Sequence, residues 1–383
     1  MNFIEQSFSI PFTYKVLFTE ALFARTNPLL RDLLAQHHTA NIHQKILFVV
    51  DQGVAEQHAN LLADIRAYFA DATDWSLVAD IVVIPGGEIV KNDLTSFDRI
   101  LDAINEHGID RHSYVVGLGG GALLDLVGYV AAIAHRGVRH IRIPTTVLSQ
   151  NDSGVGVKNS INFRGKKNFL GTFAPPLAVI NDADFLKSLP QRAWLGGISE
   201  AVKVSLIKDR AFFEWIEANA AALRNRDSEA MHYLIFRCAE LHVRHIGGYG
   251  DPFESGSSRP LDFGHWSAHK LEQLSRFEVQ HGEAVAMGIC LDCVYSRLDG
   301  RLSAEDCERV VKVFETLGLA ITHPLLKADG EHSPLVAGLQ EFREHLGGRL
   351  TIMLLNGLGV AEEVHDMNTD LIRAAAEELQ ARN

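Results

Sequence analysis

The chain has 383 residues, 47% hydrophobic and 22% charged, with a formal net charge of −12. That length suits about two domains with ample apolar material for a large core, and the acidic balance argues against nucleic acid or an anionic membrane surface as the main partner. A small anionic substrate stays compatible, because a few local Lys and Arg suffice to bind one.

The opening residues Met1-Asn2-Phe3-Ile4-Glu5-Gln6 lack the basic-then-apolar pattern of a secretory signal. No apolar run has the length needed to span a bilayer. From residue 45 the chain alternates strand and helix. Residues 45–51 read as a buried strand, 54–69 as a helix, 81–84 as a strand ending at Pro85-Gly86-Gly87, and 96–107 as a helix. A third strand at 113–118 ends in Gly119-Gly120-Gly121; a helix to about 135 and a strand at 141–143 follow. Continuous apolar strands separated by helices predict a parallel sheet covered on both faces, a Rossmann-like α/β domain over 1–184. Beyond 185 the pattern turns helical (211–223, 228–245, 284–298, 304–317), with one possible strand at 350–355, which predicts an all-α second domain over 185–383. Four cysteines, Cys238, Cys290, Cys293 and Cys307, are too few for a disulfide framework. The Cys290/Cys293 pair lies in an apolar helical run with no second pair, and reads as buried thiols rather than a zinc or redox site. A reducing cytoplasm is the expected compartment.

Gly117-Leu118-Gly119-Gly120-Gly121 joins a strand to a helix, where backbone without Cβ and free helix N–H groups can receive a pyrophosphate. The spacing is not G-x-G-x-x-G, so a tight structural turn is the competing explanation. Asp51, at an earlier strand end, could accept from a ribose hydroxyl or simply cap a helix. In the second half, Glu200 and Lys203 stand three apart on one helical face, His265 and His269 stand four apart, and His281 opens the next helix. A carboxylate with two or three imidazoles from separate helices suits zinc or cobalt with open positions for substrate. With 18 histidines in the chain, a structural origin competes for each; His242 and His245 look like such background.

Several motifs in order resemble the dehydroquinate-synthase-like sugar phosphate cyclases. They are Gly119-Gly120-Gly121 with Asp125, Ile143-Pro144-Thr145-Thr146, Asp152-Ser153-x-Val155-Gly156-x-Lys158, Gly165-Lys166-Lys167-Asn168 and Glu200-x-x-Lys203, then Asp262-Phe263-Gly264-His265-x3-His269 and His281-Gly282-Glu283-Ala284-Val285. The resemblance spans about residues 45–320. It implies one divalent metal, zinc or cobalt, held by Glu200, His265 and His281. It implies NAD bound by Asp51, Glu88, Lys91, Gly119, Gly120, Gly121, Asp125, Thr145 and Thr146, with Lys167 serving cofactor or substrate. Asp152, Lys158, Asn168, Lys203 and His269 would surround a sugar phosphate, and Arg136 would reach the phosphate from the neighbouring subunit of a homodimer. The implied reaction is a phosphate-eliminating ring closure: transient oxidation by NAD, loss of phosphate, return of the hydride and an intramolecular aldol step, with no net redox change.

The departures bear on substrate. Where dehydroquinate synthases carry Lys, Arg and Asn to handle a carboxylated substrate, this chain has Arg244, Ser258 and Asp262, with Arg259 one place away. Their C-terminal Asp-Lys-Lys is replaced by the stretch around Glu341-Phe342-Arg343. A carboxylate at 262 facing a substrate carboxylate in a cleft of low dielectric is repulsive on the order of several kcal/mol. The pattern resembles the 2-epi-5-epi-valiolone synthase branch, which implies sedoheptulose 7-phosphate. Alternatives are 3-dehydroquinate synthase itself, a metal-dependent alcohol or glycerol dehydrogenase, and a non-catalytic binding protein. Asp262 as a helix cap ahead of His265 is the competing structural explanation for that residue.

Overall fold

The computed structural model describes residues 2–164, 166–248, 253, 260–327, 333–345 and 350–382. It divides into two compact units: Met1–Thr145 with Val157–Asp184, and Thr146–Gly156 with Phe185–Asn383. The first unit ends at Asp184 and the second resumes at Phe185. The segment 146–156, however, packs with the second unit, because the Asn151 side chain donates to the Gly197 carbonyl and Asp152 pairs with His242.

The first unit is built on strands β1 (Lys15–Thr19), β2 (Gln44–Asp51), β3 (Trp75–Leu77), β4 (Val82–Ile84), β5 (Tyr114–Gly119) and β6 (Arg139–Pro144). The hairpin β7 (Lys158–Phe163) and β8 (Lys166–Phe173) follows, then β9 (Ala178–Asp182). Its helices are α1 (Leu29–Gln36), α2 (Gln52–Gln57), α3 (Leu61–Phe69), α4 (Leu94–Glu106) and α5 (Gly121–Ile133). The main sheet runs β1-β9-β6-β5-β2-β3, with β4 also on β2, and every pairing is parallel. Alternation along β2 explains its unbroken apolar run. Leu47 and Val49 face a core with Leu123, Val127 and Val130 of α5, while Phe48 meets Phe23 and Phe69 in another aromatic layer. Both faces are covered, as parallel sheets require. The predicted helix over 54–69 is two helices. The chain turns at 58–60, so that Leu61, Ile65, Tyr68 and Phe69 reach the core, whereas α2 buries none of its residues.

The second unit contains α6 (Gln191–Gly196), α7 (Ile198–Lys208), α8 (Arg210–Arg224), α9 (Ser228–Gly248), α10 (His265–Leu274) and α11 (His281–Leu298). Farther on come α12 (Ala304–Leu317), α13 (Pro334–His345) and α14 (Thr369–Gln380). It also has a small antiparallel hairpin of β10 (Ile352–Leu355) and β11 (Ala361–Val364), so it is helical rather than purely α. Helices α7 and α11 are buried over most of their length and form the interior of this unit. All four cysteines are free and buried, and burial pushes the Cys290 and Cys293 thiols well up, as expected of packing residues. No helix among the described residues is long and apolar enough to cross a membrane.

Candidate metal centre and nucleotide turn

In the first unit the candidate cofactor residues gather at the carboxyl ends of the parallel strands. Gly119 closes β5, Gly120 is the N-cap of α5, and no side chain caps that helix. Its first N–H groups therefore remain available to an anion. Asp51 closes β2 and caps α2, accepting from Gly53 N (2.8 Å) and Val54 N (3.4 Å). The cap and the ribose-acceptor roles are not exclusive, since these bonds use only Oδ1. A Cβ at Gly86 would run into the Asp51 carboxylate, and one at Gly119 would sit 2.9 Å from the Asp51 Cβ, so both glycines make room for this aspartate. Burial pushes the Asp51 carboxyl upward against the pull of the Val54 and Gly53 N–H groups. The Thr145 backbone donates to the Gly119 carbonyl (3.0 Å), while its buried hydroxyl finds no partner among the described residues. Thr146 instead closes a local turn with Ser149.

Lys91 is 4% exposed, and its ammonium meets Asp125 (2.8 Å), Ser160 (3.1 Å) and the Asn168 side-chain oxygen. Glu88 accepts from Asn162 (3.0 Å) and lies 3.9 Å from the same ammonium. Asn168, grouped with the substrate by its motif, accepts from the Lys91 ammonium at a left-handed φ of 54° and so joins the two groups of residues. Lys91→Met should cost about 1–3 kcal/mol, because it leaves Asp125 and Asn168 with only the single Ser160 hydroxyl proton between them; urea unfolding followed by circular dichroism would show it, and an unmoved midpoint would mean that this network adds nothing. Lys158 opens β7 and is exposed, Lys167 is half-buried on β8, and Arg136 is exposed on the turn after α5 with φ 63°.

In the second unit, Glu200 (α7), His265 (α10) and His281 (α11) converge, with one ligand atom from each within 4.8 Å of the others. Glu200 Oε1 lies 3.4 Å from His265 Nε2 and 3.2 Å from His281 Nε2. His265 Nδ1 donates to the Phe263 carbonyl (3.0 Å), and His281 Nδ1 faces the buried Glu272 carboxylate (3.2 Å). Both Nδ1 atoms are thereby engaged and both Nε2 atoms point toward Glu200, the usual outer support of a metal histidine. Glu200 is fully buried, and neither of its oxygens finds a hydrogen-bond partner among the described residues, although the Lys203 ammonium lies beside Oε2. A buried carboxylate left in that state, facing two imidazole Nε2 atoms, fits a divalent cation. Burial alone would raise the Glu200 carboxyl; the Lys203 ammonium overturns this and holds it well below its ordinary value. Burial likewise opposes charge on Lys203, but Glu200 and Asp152 keep that ammonium above its ordinary value.

Glycines let these elements meet. Gly264 adopts φ 75° ahead of His265, and a Cβ there would lie 2.8 Å from Ile289. Buried Asp292 on α11 accepts from Gly264 N (3.0 Å) and Trp266 Nε1 (2.8 Å), bracketing His265; burial pushes its carboxyl up to about 7. His269, one turn after His265, stacks on His281 with ring centroids 5.9 Å apart. Asp262 ends a short 3-10 turn and does not cap α10, whose N-cap is Gly264 with no side-chain bond; it reinforces the Lys203 charge instead. Arg259 and Ser258 lie outside the described residues. Sequence reading missed Glu272, two turns on from His265 in α10, and His242, set aside as background although it binds Asp152 at 2.9 Å.

Comparison with known proteins agrees with this geometry. Residues 81–196 match the family model described as 3-dehydroquinate synthase N-terminal, and 197–335 match 3-dehydroquinate synthase C-terminal. The chain is 32% identical to a 3-dehydroquinate synthase of Shewanella sp. (strain MR-4), over 91% of this chain and 92% of that protein. Among solved structures it is similar to ValA, the 2-epi-5-epi-valiolone synthase of Streptomyces hygroscopicus subsp. jinggangensis 5008 with NAD+ and Zn2+ bound: TM-score 0.87, 29% identity, covering 99% of this chain and 100% of that one. A 2-deoxy-scyllo-inosose synthase complexed with carbaglucose-6-phosphate, NAD+ and Co2+ shares the fold at TM-score 0.78 and 21% identity, covering 95% and 96%. An N-terminal parallel-sheet unit, a helical unit with a Glu-His-His centre and these matches along most of the chain lead to one conclusion: the protein belongs to the dehydroquinate-synthase-like sugar phosphate cyclase family.

Proposed function

We propose that this enzyme closes a carboxylate-free C7 sugar phosphate, sedoheptulose 7-phosphate, into a ring with loss of phosphate, using NAD and one zinc or cobalt ion. When bound, NAD supplies a hydride acceptor restored within each turnover and the metal a Lewis acid. Glu200, His265 and His281 would hold the ion. Asp51, Glu88, Lys91, Gly119, Gly120, Gly121, Asp125, Thr145 and Thr146 would bind NAD, with Lys167 beside cofactor or substrate. Lys203 can stabilise negative charge developing on a substrate oxygen, Asp152 can accept from a sugar hydroxyl, and His269 can hold or relay a proton. Lys158, Asn168 and Arg259 are assigned to the substrate, and Arg136 to the phosphate, from the second copy of a homodimer. The four free buried cysteines suit a reducing cytoplasm.

The observation that carries the substrate assignment is Asp262, a carboxylate near enough to strengthen the Lys203 ammonium. It can accept hydroxyl hydrogen bonds but opposes a substrate carboxylate. The 32% identity to a 3-dehydroquinate synthase favours the second reading, a carboxylated C7 substrate. Incubation with NAD, cobalt or zinc and each sugar phosphate, scored by phosphate release and product mass, decides between them. Steady NADH accumulation with a simple alcohol would instead identify a dehydrogenase. Asp262→Asn should move the ratio of kcat/KM values toward the carboxylated substrate by about tenfold or more, since one unit of charge repulsion in such a site exceeds 1.4 kcal/mol; an unchanged ratio would remove Asp262 as the selector.

A further inference from the structure

Asp152 stands on the turn 149–153, anchored where Asn151 donates to the Gly197 carbonyl (2.8 Å) at the start of α7. Its carboxylate is drawn to Lys203, the cation beside Glu200. Behind it, His242 of α9 places Nδ1 2.9 Å from Asp152 Oδ1, with the two side chains only 12% and 17% exposed. A carboxylate accepts and does not donate, so His242 Nδ1 must carry the proton. An imidazole in water favours the other tautomer, and this contact therefore selects a defined state of the ring. The His242 bond uses one oxygen of Asp152 and leaves the other to a different donor. Nothing in the chemistry of cofactor or metal binding calls for a histidine here, and His242 is not among the convergent metal groups.

We propose that His242 is a positioning residue for Asp152. By fixing Oδ1 it sets the plane of the carboxylate, so that the remaining oxygen meets a hydroxyl of the polyhydroxylated substrate rather than rotating onto Lys203. This assignment rests on the cyclase reading above, and its test separates the two. His242→Leu removes the donor. His242→Asn restores one, because the Asn side-chain nitrogen stands as many bonds from Cα as Nδ1 does. Both proteins are first assayed for metal and NAD content, which should equal the wild type. In phosphate release, His242→Leu should lower kcat about tenfold to a hundredfold, the range of one charge-assisted hydrogen bond, with KM within about twofold, and His242→Asn should recover most of the loss. Wild-type kcat in His242→Leu, or equal defects in Leu and Asn variants that keep metal and NAD, would overturn the proposal. Should the wild type release phosphate from no sugar phosphate offered, the cyclase reading fails by itself. The His242 contact is then decided by long-range 1H–15N correlation on histidine-labelled protein: a protonated Nδ1 that shifts in Asp152→Asn supports it, and an unprotonated Nδ1 rejects it.

Discussion

Glu200→Ala is expected to abolish tight metal binding and, with it, turnover. The wild type should purify with about one divalent ion per subunit and the variant with less than about a tenth of that, measured by elemental analysis after dialysis. The argument starts from burial. Glu200 is 0% exposed and its two oxygens have no hydrogen bond among the described residues, so the carboxylate is held by electrostatics, toward Lys203 on one side and toward an ion on the other. Removing it leaves two neutral imidazoles, too few for a stable tetrahedral site. It also strands Lys203, 3% exposed, without its nearest counter-charge. Breaking a buried pair from one side costs about 3–5 kcal/mol, so Glu200→Ala should unfold at lower urea as well. The two effects separate in the double variant Glu200→Ala with Lys203→Met, which should regain stability but not metal. His281→Ala should lose the ion while keeping the Glu200–Lys203 pair and most of the stability. Full metal retention by both Glu200→Ala and His281→Ala would remove this centre from the protein.

The three proposed metal ligands were legible in sequence because each stands in a motif with a regular spacing and a resemblance to draw on. What supports them was not. Glu272 meets His281 Nδ1 across a helix–helix junction, and Asp292 reaches back 28 residues to the Gly264 N–H; neither contact leaves a periodic trace. His242 and Asp152 are 90 residues apart, and only packing of the 149–153 turn on α9 unites them. The same limit applies to the fold. Strands β2, β4, β5 and β6 were readable from apolar runs, whereas the three-residue β3 was not, and neither were β1 and β9, short strands that pair with each other across 163 residues and depend on their neighbours in the sheet. The hairpin β7–β8 was read as motif rather than structure, because its exposed, polar face hides the alternation. Asn168 shows the consequence: the hairpin brings it to Lys91, a contact that no spacing in the sequence announces.

Gly282→Ala is the second change expected to be severe, for reasons of space rather than charge. Gly282 follows His281 at the start of α11, and an ideal Cβ there would overlap the Gly196 carbonyl, 2.5 Å from its carbon. Both obstacles are backbone, so no side-chain rotation relieves the clash. The junction cannot simply open. Arg192 of α6 grips Glu283 with two bonds of 2.6 Å and reaches the Glu278 carbonyl at 2.6 Å, while Glu283 also closes the capping box with Gln280. The strain must pass into α11, whose next residues are buried, and into His281 itself. A forced backbone shift in a packed interior costs about 3 kcal/mol, and a displaced His281 should weaken metal affinity in parallel. Gly247→Ala is the control: among the described residues nothing outside its own helix lies within 4 Å of the added Cβ, it sits in α9, and it should be neutral or stabilising by up to about 1 kcal/mol. Urea unfolding and chelator competition on both variants test the pair. If Gly282→Ala matches Gly247→Ala in stability and metal affinity, the close approach of α6 and α11 is not what sets the third ligand in place.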